Sequence, residues 1–208
     1  SHYLYLKEAT RTITIQFTFG EAFSISQADL LSAFTIELTG KKGWHPVSVY
    51  TAAVNSTSKT ISFTMKLEGD APPIVGYSEK VHKESYTTDL PLMRFILKNE
   101  RNVFNIYNQL KSILLNKINI DVFVEGVKDV IIQNDEGTLD PSKPFTPFGT
   151  QPKVGSSFIV GSKEIFQKKL TQLGLVIDWD DVPDSLADQL DEALHEYERT
   201  LSYVDVKR

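Results

Sequence analysis

Two nine-residue stretches alternate apolar and polar residues without a break, and they set the fold class. Arg11 to Phe19 runs RTITIQFTF, with Ile13, Ile15, Phe17 and Phe19 separated by Thr14, Gln16 and Thr18. Lys59 to Leu67 runs KTISFTMKL, with Ile61, Phe63, Met65 and Leu67 in the same phase. A period of two sends every apolar side chain to one face of an extended strand, whereas a helix needs a period near 3.6. The likeness of the two stretches is what two strands of one sandwich show, without internal duplication. Between them, Ala33 to Thr39 (AFTIELT) and Pro46 to Val54 (PVSVYTAAV) supply two further strands, with turns at Gly40 to Gly43 and Asn55 to Ser58. Short strands at regular spacing, bounded by turn residues, predict a mainly β chain: an antiparallel β-sandwich, jelly-roll-like or split into two small sandwiches.

The remainder fits that class with short helices added. Asp70 to Pro91 lacks a period and is long for a plain connection, so it is expected to be an ordered excursion or a functional loop. Leu92 to Lys98 is predicted as a strand and Val103 to Leu110 as a short helix. Lys117 to Glu125 alternates Ile118, Ile120, Val122 and Val124, and Gly126 is expected to turn a hairpin or bulge into Val127 to Gln133. Ser157 to Val160 and Gln172 to Trp179 follow as strands, with Ser162 capping a helix from Lys163 to Leu170. Asp184, after Pro183, caps a terminal amphipathic helix. Its Leu186, Leu190, Ala193, Leu194, Tyr197 and Leu201 fall on one face, opposite Asp188, Asp191, Glu192 and Glu196. The expected organisation is a β-sandwich region over 1–100, a second β region over 101–182 packed on it, and a C-terminal helix over 183–208.

Composition narrows the function classes. The chain has 208 residues, 41% hydrophobic and 24% charged, which is ordinary for a folded domain. Net charge is −5 with a pI near 5.4 and no stripe of Lys and Arg, so no nucleic-acid partner is expected. No apolar run approaches the roughly 18 to 20 residues that span a bilayer, and no membrane partner is expected. Cysteine is absent, which removes disulfides, thiolate metal sites and thiol nucleophiles. The chain opens on Ser1 and His2, as an excised piece of a longer protein would.

Candidate chemistry is thin. Asp178, Asp180, Asp181 and Asp184 offer hard oxygen ligands, but their spacing matches no standard calcium loop. Asn134 to Asp140 has glycine too early for such a loop and is predicted as a turn. His2, His45, His82 and His195 are scattered, with no spacing that sets two imidazoles on one metal. Asn55, Ser56 and Thr57 form a glycosylation triplet that is better taken as a turn. No nucleophile elbow or glycine-rich phosphate loop occurs. No catalytic residue, metal or cofactor is expected. Paired carboxylates of a glycosidase, facing each other at roughly 5 to 9.5 Å, are not something a sequence can place. Trp44, Tyr50, Tyr77 and Trp179 stand as the candidate platform of an alternative, a carbohydrate-binding or adhesive sandwich, although aromatics in such strands more often pack in the core.

The densest signal lies in Pro144 to Phe166, PFTPFGTQPKVGSSFIVGSKEIF. Pro141, Pro144, Pro147 and Pro152, with Gly149 and Gly155, interleave with Phe145 and Phe148. Proline fixes φ and removes a donor, so the Pro-rich part, 141–155, is predicted as an extended, ordered loop and not a central strand. Together with GVKDVIIQNDEGTLDPSKPF before it and KKLTQLGLVIDW after it, the stretch resembles J-type baseplate proteins of contractile, phage-tail-like injection systems. The resemblance is strongest from Leu92 to Trp179 and extends more weakly to FTIELTGKKGWHPV (Phe34 to Val47) and LEGDAPPIVGY (Leu67 to Tyr77). It is to the longer versions found in extracellular and related injection systems. It implies a structural module of a baseplate wedge with no catalytic role, assembled in the cytoplasm, whose partners are other baseplate and wedge proteins. On its own the module is expected to be a monomer, multimeric only within the particle. Pro144, Phe145, Phe148 and Gly149 are the candidate interaction residues. The two phenylalanines act either as anchors in a neighbour or, the favoured alternative, as rivets holding the loop to its own domain.

Overall fold

In the computed structural model the two alternating stretches become neighbours in one sheet. The structure describes residues 9–99, 104–166, 170–178 and 204–207, and the chain divides into two compact units, 1–128 and 129–208. The first unit contains β1 (Thr10–Phe19), α1 (Gln27–Ala33), β2 (Phe34–Gly40), β3 (Gly43–Pro46), β4 (Tyr50–Asn55), β5 (Thr60–Leu67), α2 (Glu79–His82), β6 (Met93–Leu97), α3 (Phe104–Ser112) and β7 (Leu115–Glu125). β1 pairs antiparallel with β5, Ile15 opposite Phe63 and Ile13 opposite Met65. These two strands form the middle of a four-stranded sheet in the order β4-β5-β1-β7. A second, three-stranded antiparallel sheet runs β3-β2-β6.

The sheets share one core because each turns an apolar face toward the other. Ile13, Ile61, Phe63 and Met65 from the larger sheet and Ile36 and Leu38 from the smaller are all buried in a single cluster. Aromatic edges stitch the layers together: Phe17 to Phe95 at 5.4 Å, Phe34 to Phe63 at 5.8 Å and Phe63 to Phe95 at 5.2 Å between ring centroids. Fully burying a side chain such as Phe63 stabilises the fold by about 1.5–3 kcal/mol, and the half-buried Phe17, Phe34 and Phe95 contribute less. The chain is therefore mainly β and sandwich-like, with several antiparallel sheets and few short helices, as the alternation predicts.

Local details differ from the sequence expectation for identifiable reasons. α1 was not expected; Ser26 begins it by accepting the Asp29 amide at 3.1 Å, and it buries Leu30 and Ala33. Pro46 to Val54 is not one strand. Pro46 has no donor to continue a ladder, so β3 ends there and the chain crosses to the other sheet as β4. Gly126 does not fold β7 back on the residues after it; β7 pairs with β1, Ile120 opposite Ile15, in the first unit. The boundary accordingly falls at Lys128/Asp129, not near residue 100.

The excursion over 70–91 is ordered, and a few buried polar side chains hold it. The Thr39 hydroxyl donates to the Val75 carbonyl at 2.6 Å and accepts the Leu92 amide at 3.1 Å. Arg11, fully buried beneath the turn that leaves β5, donates to the carbonyls of Glu68, Ala71 and Pro72. Burial lowers the pKa of its guanidinium from the usual value.

The second unit contains β8 (Ile131–Asn134), β9 (Gly137–Leu139), β10 (Phe158–Gly161), α4 (Lys163–Phe166), β11 (Leu175–Asp178) and β12 (Val204–Lys207). β10, β8 and β9 form a three-stranded antiparallel sheet. β11 and β12 pair in parallel, Leu175 opposite Val204. Val204–Lys207, expected at the end of the terminal helix, is thus a strand. Asp184 to Leu201, the rest of that expected helix, lies outside the described residues.

Candidate functional site

The loop between β9 and β10 is built by the turn between β8 and β9. Three consecutive residues, Asn134, Asp135 and Glu136, each reach a different part of it. Asn134, only 2% exposed, accepts the amides of Glu136 and Gly137 on Oδ1, closing its own turn. Its Nδ2 donates 3.0 Å to the Thr146 carbonyl. Asp135 accepts the Ser157 amide at 3.1 Å and the Ser157 hydroxyl at 2.5 Å. Those two bonds, the hydroxyl first, hold its carboxyl below the ordinary Asp range. Glu136 Oε1 accepts both the amide and the hydroxyl of Thr150, each at 2.8 Å. The far end of the loop is therefore fixed by charge-assisted bonds, which are stronger than neutral ones.

Gly149 is required where it stands. It is buried at φ +83°, and a Cβ there would come within 2.7 Å of Glu136 Oε1. A side chain would meet both the left-handed backbone and the anchoring carboxylate. Pro144 is exposed. Phe145 stacks on Phe158 of β10 at 5.8 Å and 28° between planes, and Phe148 meets the same ring edge-on at 6.3 Å. Both rings hold to their own unit, yet they remain 39% and 47% exposed. They rivet the loop and still present apolar surface. The turn expected over Asn134 to Asp140 is present, but the reach of its first three residues across the loop, and Phe158 as the ring that both phenylalanines meet, have no counterpart in the sequence reading. The only available signal was the turn-forming character of Asn134 and Asp135.

The four residues of the alternative sugar platform are placed differently. Tyr50 is half-buried and donates its hydroxyl to the Leu31 and Phe34 carbonyls. Tyr77 is 6% exposed and stacks on His82, its hydroxyl without a hydrogen-bond partner among the described residues. Trp44 is half-buried, donates Nε1 to the His82 carbonyl and carries the Arg94 guanidinium 4.0 Å over its ring. Trp179 lies outside the described residues. Trp44, Tyr86 and Arg94 line an open hollow of about 360 Å3, but Glu37 and Glu84 both pair with the Arg94 side chain. The hydrogen bond from Tyr86, followed by the one from Arg94, holds the Glu84 carboxyl below its ordinary range.

Of the histidines, His82 is buried, with Nε2 3.1 Å from the Gly40 carbonyl and Nδ1 accepting the Ser78 amide at 3.1 Å. Both nitrogens serve the excursion. His2, His195, Asp180, Asp181 and Asp184 lie outside the described residues. Among the described residues no three His, Asp or Glu side chains cluster to hold a metal ion. Among the same residues no helix is long and apolar enough to cross a membrane. No protein-family model matches the sequence, and none of the curated proteins searched matches it significantly.

Proposed function

We propose that this chain is a structural module of a baseplate wedge protein in a phage-tail-like contractile injection system, acting by protein–protein assembly. The observation that carries the proposal is the loop after β9. It is fixed along its length by Asn134, Asp135 and Glu136, and it holds two phenylalanine rings half in solvent. A surface already ordered before binding loses little entropy when a neighbour docks, and aromatic side chains, phenylalanine among them, are enriched in such contacts. The same stretch carries the resemblance to baseplate proteins. The module's partners are other baseplate and wedge proteins, and it performs no catalysis and uses no cofactor. Assembly takes place in the cytoplasm.

Replacing Phe145 and Phe148 together with Ala tests the proposal. The variant is expected to fold, because both rings are already partly solvated, but to reduce the yield of intact particles about tenfold or more when it replaces the native protein. Normal particle abundance with the folded double variant would contradict it.

A further inference from the structure

β7 ends its sheet without a neighbour on its outer side: among the described residues it pairs with β1 alone. It is eleven residues long with no proline or glycine, an edge of about 37 Å at about 3.4 Å per residue. Ile118, Ile120 and Val122 lie opposite Phe17, Ile15 and Ile13, on the face that builds the core. Yet they are 49%, 60% and 40% exposed, while Ile13 and Ile15 are buried. An open edge carrying an uncovered apolar stripe is the arrangement that pairs with another strand.

We infer that β7 pairs antiparallel with β7 of a second copy of this chain about a two-fold axis at Asn119. The register argues for a second copy. Directly opposed residues of an antiparallel pair share a face of the sheet. Centred on Asn119, Lys117 faces Asp121 of the second copy and Asp121 faces its Lys117, while Ile118 and Ile120 face each other on the apolar side. One centre further along, at Ile120, sets Lys117 against Phe123. The next, at Asp121, sets two aspartates against each other. Among these the Asn119 centre alone sets both Lys117–Asp121 pairs opposite in charge while bringing Ile118 and Ile120 of the two copies together, as an isologous interface requires. Such pairing departs from the expected monomer, and it does not depend on the assembly role proposed above.

Sedimentation equilibrium of the full chain tests the pairing. The native chain is expected at twice its 23.5 kDa mass. Lys117→Asp and Asp121→Lys, both at solvent-facing positions, are each expected to raise the dimer dissociation constant about tenfold or more while leaving the circular dichroism spectrum unchanged. An equimolar mixture of the two variants restores opposite charges across the axis and is expected to dimerise again, as is the double variant Lys117→Asp/Asp121→Lys. A monomeric native chain would overturn the inference, as would a dimer indifferent to the single substitutions or single variants that the mixture does not rescue.

Discussion

The two units hold themselves together by different means. In the first, Ile13, Phe63, Met65, Ile36 and Leu38 lie in one continuous apolar cluster, and polar side chains such as Arg11 and Thr39 serve to tie loops to it. In the second, Ile132 is the one buried apolar side chain among the described residues, and the order of the loop comes from hydrogen bonds made by three adjacent turn residues. A core built of apolar surface tolerates change outside it. A loop held by a few polar anchors depends on each of them, and its two rings, packed on Phe158, keep much of their surface in solvent.

The comparison breaks most visibly in the first unit. Phe63 touches Phe17, Phe34, Tyr50 and Phe95, so Phe63→Ala removes the centre of the aromatic cluster. It is expected to lower the unfolding free energy of that unit by about 3–5 kcal/mol in urea titration. In the second unit Asn134→Ala leaves the Glu136 and Gly137 amides and the Thr146 carbonyl without the partner that now serves them. The expected cost is about 1–3 kcal/mol, read as faster hydrogen exchange at the turn and across the loop with the β1 and β5 amides unaffected.

The smallest effect follows from pH. Because the folded carboxyl of Asp135 titrates below the unfolded value of about 3.9, its contribution is fully present above that value and is lost as pH falls through the folded pKa. Exchange at the Ser157 amide is expected to lose protection, relative to the β1 amides, only in that acid window. Asp135→Asn should remove this pH dependence.

How much of this was legible follows from distance along the chain. β1 and β5 declare themselves through unbroken alternation, and the phase of each fixes which residues enter the core. β7 declares itself too, but its partner lies about a hundred residues away, and the local cue of Gly126 pointed to the wrong neighbour. α1 is only seven residues long, too short for a helical period to emerge from the strand-like residues after it. The prolines and phenylalanines of the loop were visible as an ordered surface segment. Its anchors were not, because Asn134, Asp135 and Glu136 act on residues 12 to 22 positions away through side chains that look like ordinary turn formers. The stacking of Arg94 on Trp44 likewise joins residues from two strands that no local pattern connects.

The most direct test of the proposed assembly role is a photo-crosslinking amino acid placed at Phe148 in the chain as its source cells produce it. The account predicts that the chain sediments with contractile particles and gives an adduct to a different baseplate subunit, one that disappears when the particles are dissociated before irradiation. A chain absent from the particles, or one present in them that yields no intermolecular adduct from this position, would contradict it.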